Sequence, residues 1–186
     1  MKRLPLALAV LSILTVSASA QSIYQAKQAP PIKLGTSGGN VNDASRAFCC
    51  SGTLGSLVSK GGVQYILSNN HVLARSDQAA PGEDISQPGL VDTSCRTTNS
   101  NIVADYATAS PLGTQNVDAA LAATRSGEVA TSGEILTVGI PSSTPAAPAV
   151  GLGVAKAGRT TGLTCGTIGS IDTDVSVQYQ RGCNQG

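Results

Sequence analysis

The chain has 186 residues, 12 basic against 11 acidic side chains, a single histidine, 21 glycines, and only 12% charged and 3% aromatic residues. Loss of Lys2 and Arg3 with an amino-terminal leader leaves 10 basic against 11 acidic residues, a net charge of −1, which argues against the concentrated basic surface of a nucleic-acid binder. One histidine rules out a His-x-x-x-His metal pair, and the abundance of glycine favours short strands and tight turns over long helices.

The leader occupies residues 1–20: Met1, Lys2 and Arg3 make a basic start, Leu4 to Val16 an apolar core, and Ala18-Ser19-Ala20 an A-x-A site cut before Gln21. Its apolar run is shorter than the roughly 20 residues that span a bilayer. The expected product is therefore secreted, extracellular or periplasmic, and free of the membrane once the leader is removed. Residues 21–42 are Gln, Ala, Pro, Gly and Ser without sustained periodicity, and read as a propeptide or extended arm.

From there short β-type runs alternate with turn clusters. Strands are expected at Gly52–Val58, Val63–Ser68, Ile102–Ala107, Asp118–Thr124 and Ile135–Ile140, with a hairpin turn at Lys60-Gly61-Gly62. This spacing predicts an all-β first unit, a barrel or sandwich, over 43–130. A linker over 131–149 contains Pro141, Pro145 and Pro148, which lack the amide hydrogens of a central strand. Strands resume at Val150–Lys156, Leu163–Ile171 and Val175–Tyr179, so 150–186 reads as an incomplete second unit, since three strands rarely close a core alone.

Five cysteines in an exported chain point to disulfides. Cys49 and Cys50 are adjacent and would bond each other only with strain, so one of them is expected to reach Cys95, with Cys165 joined to Cys183. One thiol is left over.

Two residues carry candidate chemistry. His71 follows the strand Val63–Ser68 within Asn69-Asn70-His71-Val72, where an imidazole titrating near neutral pH serves as general base; the structural alternative is a hydrogen-bonded histidine at a strand end. Asp118 opens Asp118-Ala119-Ala120-Leu121-Ala122, where a buried carboxylate beside an imidazole would fix its tautomer. Its structural alternative is a turn aspartate accepting backbone hydrogen bonds.

Together these segments resemble the bacterial chymotrypsin-like serine peptidases. Ser51-Gly52-Thr53-Leu54-Gly55-Ser56-Leu57-Val58 is similar to the segment leading into the strand before the family's histidine. Val117-Asp118-Ala119-Ala120-Leu121-Ala122 is similar to the segment bearing its aspartate, and Lys156-Ala157-Gly158-Arg159-Thr160-Thr161-Gly162 to the start of its second barrel. The resemblance runs from Cys49 to Gly186. It implies a double β-barrel, the first complete and the second truncated, with His71 and Asp118 as two members of a Ser-His-Asp triad.

The family's Gly-Asp-Ser-Gly nucleophile segment is absent after Asp118, and Thr36-Ser37-Gly38-Gly39, Ser126-Gly127 and Ser132-Gly133 read as loops. The nucleophile is thus unknown from this chain, which is expected to be a fragment or a reading frame assigned too short, and inactive by itself. The resemblance implies a polypeptide substrate, no cofactor, no metal, and a monomer when complete. The alternative is a secreted, non-catalytic binding module on a peptidase-like fold.

Overall fold

A computed structural model describes residues 22–114 and 116–176. The leader expected over residues 1–20, most of the strand expected at Val175–Tyr179, and Cys183 lie outside the described residues.

Seven strands form one antiparallel sheet: β1 (Thr36–Asn40), β2 (Gly52–Leu54), β3 (Ser56–Lys60), β4 (Val63–Ser68), β5 (Asp84–Gln87), β6 (Asn101–Ala109) and β7 (Ala120–Thr124). Their spatial order is β2-β1-β5-β6-β7-β4-β3. The two edge strands, β2 and β3, are separated in sequence only by Gly55, so the sheet must curl until its edges meet. Gly55 permits the switch of partners, because a Cβ there would sit 2.5 Å from the Leu67 carbonyl oxygen. The Ser68 hydroxyl fastens the seam by donating to the Thr53 carbonyl at 2.7 Å.

With few aromatic residues available, the interior is aliphatic and small. Ile32, Leu34, Leu54, Ile66, Leu73, Ile85, Val103, Ala104 and Ala122 are completely buried, and each of the larger ones contributes about 1.5–3 kcal/mol by leaving water. In β7 the alternating burial of Ala120 and Ala122 puts alanine where the curled sheet is tightest.

The expected strands at Val63–Ser68 and Asp118–Thr124 are present, the latter starting two residues later. The run Gly52–Val58 is split at Gly55. Ile135–Ile140 is not a strand: Ile135 bridges Leu34 and Gly139 singly, and the segment folds across the end of the sheet. The loop proper begins near Pro141, beyond which the chain is exposed as far as Val150.

Residues 21–42 correct the expectation of a separable arm. All five residues of β1 are buried, β1 pairs with both β2 and β5, and Ile32 and Leu34 lie in the core. Removing this segment would strip two strands of their partner. The strand is polar yet interior because its side chains are satisfied or missing: Thr36 bonds Lys33 and Gln28, Asn40 donates to the Leu73 carbonyl at 2.9 Å, and Gly38 leaves the room that Leu54 fills.

After the loop, β8 (Gly153–Gly158) and β9 (Gly162–Thr167) make a two-stranded hairpin. Val154 and Leu163 stand exposed on it. Its turn is tied to the larger sheet by Arg159, whose guanidinium grips both oxygens of Asp92 at 2.6 and 2.7 Å. The Arg159 amide also donates to the Thr53 hydroxyl at 3.0 Å.

Cys49 is joined to Cys95, in line with the expectation that one of the adjacent pair reaches Cys95. A closed loop of 46 residues stabilises by about 4 kcal/mol in the chain-entropy picture. Cys50 is also disulfide-bonded. Cys165 corrects the expectation of a bond to Cys183: it lies exposed on β9 and carries no disulfide.

Candidate active site

The register of two strands builds the site. In the β4–β7 pair Ser68 stands opposite Ala120, so the chain leaving β4 and the chain entering β7 emerge side by side. Asn69 then caps a single helical turn, α1 (Asn70–Leu73), which is anchored by burial of Asn70, Val72 and Leu73. That anchoring leaves His71 turned toward the Asp118 segment, on a helical turn two residues past the end of β4.

His71 Nδ1 lies 2.8 Å from Asp118 Oδ2. The other oxygen, Oδ1, accepts the Asn70 amide at 2.6 Å, and the Asn69 side chain donates to the Asp118 carbonyl at 3.2 Å. Both side chains are mostly shielded, with 25% and 20% exposure. A carboxylate accepting from Nδ1 selects the tautomer whose lone pair is on Nε2, the arrangement of a general base. The structure therefore brings together the two residues singled out from the sequence, 47 positions apart.

Beneath them sits a polar hub that the sequence reading missed. Asn70 is fully buried; its amide nitrogen donates to Asp77 Oδ1 at 2.6 Å and to the Ser110 carbonyl at 2.7 Å, and its oxygen accepts the Asp77 amide at 3.0 Å. Asp77 in turn holds the Leu112 amide at 2.9 Å. The adjacency of Asn70 to His71 was the available signal, but its partners lie in other loops. Asn70→Ala is expected to cost about 2–4 kcal/mol, since it leaves a buried carbonyl and part of a carboxylate unpaired, while Asn70→Gln should recover little because the longer side chain does not fit. A urea unfolding midpoint that hardly moves in Asn70→Ala would contradict the role of the hub.

A small pocket beside the imidazole is walled by Asp43, Cys50, Ser51, His71 and Val72. Burial pushes the Asp43 carboxyl above the usual aspartate range, against the opposing pull of the Arg75 and His71 charges. Ser51 lines the same pocket, but its hydroxyl donates to the Cys50 carbonyl at 2.8 Å and accepts the Val91 amide at 2.9 Å. It is a structural serine. Ser37, in the Gly-rich run Thr36–Asn40, is buried and bonded to Asp92 and to the Gly89 amide, while Ser126 and Ser132 lie on exposed turns. None of these three serines adjoins the pocket wall.

No family model matches the chain, and no curated protein matches it. Among solved structures the chain is similar to one described as "A glutamic acid specific serine protease utilizes a novel histidine triad in substrate binding". The match has a TM-score of 0.51 and 19% identity, and covers 77% of this chain and 65% of that one. The chain thus spans less than two thirds of that protease. At this identity the likeness shows the fold, which is chymotrypsin-like: a curled antiparallel sheet followed by a second, smaller one.

Proposed function

We propose that the chain carries the base half of a secreted serine endopeptidase, with His71 as general base and Asp118 as its orienting carboxylate. The nucleophilic serine and the amides of the oxyanion hole would be contributed by sequence following Gly186. The observation that carries this reading is the 2.8 Å contact between His71 Nδ1 and Asp118 Oδ2, with the second carboxylate oxygen held by the Asn70 amide. The fold, the disulfide between Cys49 and Cys95, and the leader-like residues 1–20 support it from separate directions.

In this reading the serine oxygen attacks the substrate carbonyl as His71 Nε2 takes its proton, and Asp118 stabilises the resulting imidazolium. His71 then gives that proton to the leaving amine, which departs and leaves an acyl-enzyme. Water attacks the ester by the same route, its proton passing through His71 back to the serine. The substrate is a polypeptide. A preference for glutamate read by three histidines is not carried over, because His71 is the single histidine of these 186 residues.

The test compares the protein encoded by the complete reading frame with residues 21–186 on a panel of quenched-fluorescence peptides. The complete protein should hydrolyse some of them and the shorter chain none. A complete protein inactive throughout, or one whose frame ends at Gly186, would favour a binding module instead.

A further inference from the structure

Asp43 is a carboxylate without a counterpart. Its backbone is fixed, the amide donating to the Asn40 carbonyl at 3.1 Å and the carbonyl accepting the Cys50 amide at 2.9 Å. Its side chain makes no hydrogen bond or ion pair among the described residues, although it is half-buried and forms one wall of the pocket that His71 shares. Burying a charge without a partner is costly, and a site that tolerates this is one where a partner arrives from outside.

The charged groups around it have other commitments. Asp118, from the entry to β7, is engaged by His71 and Asn70. Arg75, just after α1, donates to the carbonyls of Asn42 and Gln78 at 3.3 and 3.2 Å and lies 3.7 Å from Glu83. It therefore offsets the Asp43 charge only from a distance. Cys50, Ser51 and Val72 complete the wall and bring no charge.

We propose that Asp43 is a specificity-determining residue that selects a lysine or arginine side chain close to the scissile bond, on the side of the leaving amine. This rests on the peptidase reading. The leaving amine must come within hydrogen-bond reach of the imidazole that protonates it, about 3 Å. The residue carrying that amine, and the one after it, then pass over the wall that His71 shares with Asp43. An ammonium or guanidinium there would neutralise a partly desolvated carboxylate, a stronger pairing than one in bulk water. A glutamate at the same place would meet like charge.

The test uses the complete protein and peptides identical except for lysine, arginine, norleucine or glutamate at either of the two residues following the cut. In the wild type, kcat/KM for the basic peptides should exceed that for norleucine by about tenfold at one of these positions, a typical value for a charge pair of about 1.4 kcal/mol. Asp43→Asn should bring that ratio near unity, Asp43→Glu should keep most of it, and Asp43→Lys should reverse it toward glutamate. With the Asp43 carboxyl raised by burial, the wild-type ratio should hold at neutral pH. It should fall on acidification at a higher pH than an ordinary aspartate would give, and stay flat with pH in Asp43→Asn. An active wild type whose ratio survives in Asp43→Asn overturns the assignment of Asp43 alone. A wild type inactive on every peptide overturns the peptidase reading, and this inference with it.

Discussion

His71→Ala in the complete protein should lower kcat by about 10⁴-fold or more, with KM changed little, because removing a triad member leaves only substrate binding and oxyanion stabilisation. The imidazole has no substitute nearby: it is the only histidine of the chain, and its neighbours in the pocket are a cysteine, a serine, a valine and Asp43. Asp118→Asn should approach the same loss while leaving the fold intact. An amide in place of the carboxylate can present its nitrogen to Nδ1, which then must accept, and the proton moves to Nε2, where the base is needed. The amide oxygen can still take the Asn70 amide that now binds Oδ1 at 2.6 Å, so the Asp118→Asn loss should appear in kcat and not in the unfolding midpoint. A variant of either kind that keeps a tenth of wild-type activity would remove His71 and Asp118 from the chemistry.

The largest stability effect is expected at Asp92 and Arg159. Asp92 is 7% exposed and Arg159 16%; the guanidinium takes both carboxylate oxygens, and the Ser37 hydroxyl adds a third donor on Oδ2. Arg159→Ala would leave a shielded carboxylate with Ser37 as its chief partner, and Asp92→Ala a guanidinium facing Ser37 and Thr160. Each single change should cost about 3–5 kcal/mol, the usual result of breaking a buried pair from one side. The double variant Asp92→Leu/Arg159→Met should recover much of that, since removing both charges removes the desolvation cost as well. Urea unfolding of the four proteins in a double-mutant cycle measures the coupling directly. Because Arg159 lies in the β8–β9 turn and also donates its amide to Thr53, losing it should loosen the hairpin first. Amide exchange across Gly153–Thr167 should therefore rise even where the seven-stranded sheet stays protected.

What the sequence disclosed and what it hid follow a physical line. β4 was legible because Val63–Ser68 is apolar, β-branched at its start and preceded by a glycine turn; β7 was legible from its alternation. β1 and β5 were not, since Thr36-Ser37-Gly38-Gly39-Asn40 and Asp84-Ile85-Ser86-Gln87 hold one large apolar residue between them. They are interior because partners from distant segments satisfy them, as Leu73 does Asn40 and Gly89 does Ser37. Ile135–Ile140 misled in the opposite direction: it is apolar enough for a strand, but Ile135 alone is used, as a bridge to Leu34.

The site divides in the same way. His71 and Asp118 could be named because each opens or follows a recognisable strand and their order matches a resemblance. Asn70, Asp77 and Asp92 act through partners 7, 40 and 67 positions away, and nothing local marks them. Arg159 stood in a conspicuous run, Gly158-Arg159-Thr160-Thr161-Gly162, yet its role depends on a carboxylate in another loop. Asp43 was hidden for a further reason: its neighbourhood, not its own sequence, makes it a carboxylate held against its pocket without a partner.

Covalent labelling by a fluorophosphonate probe, with the modified residue mapped by mass spectrometry, should settle whether His71 and Asp118 activate a serine. The complete protein should be labelled on one serine after Gly186, His71→Ala should lose that labelling, and residues 21–186 should take up none. Labelling of a serine within residues 21–186, or labelling of the complete protein that persists in His71→Ala, would contradict the proposed triad.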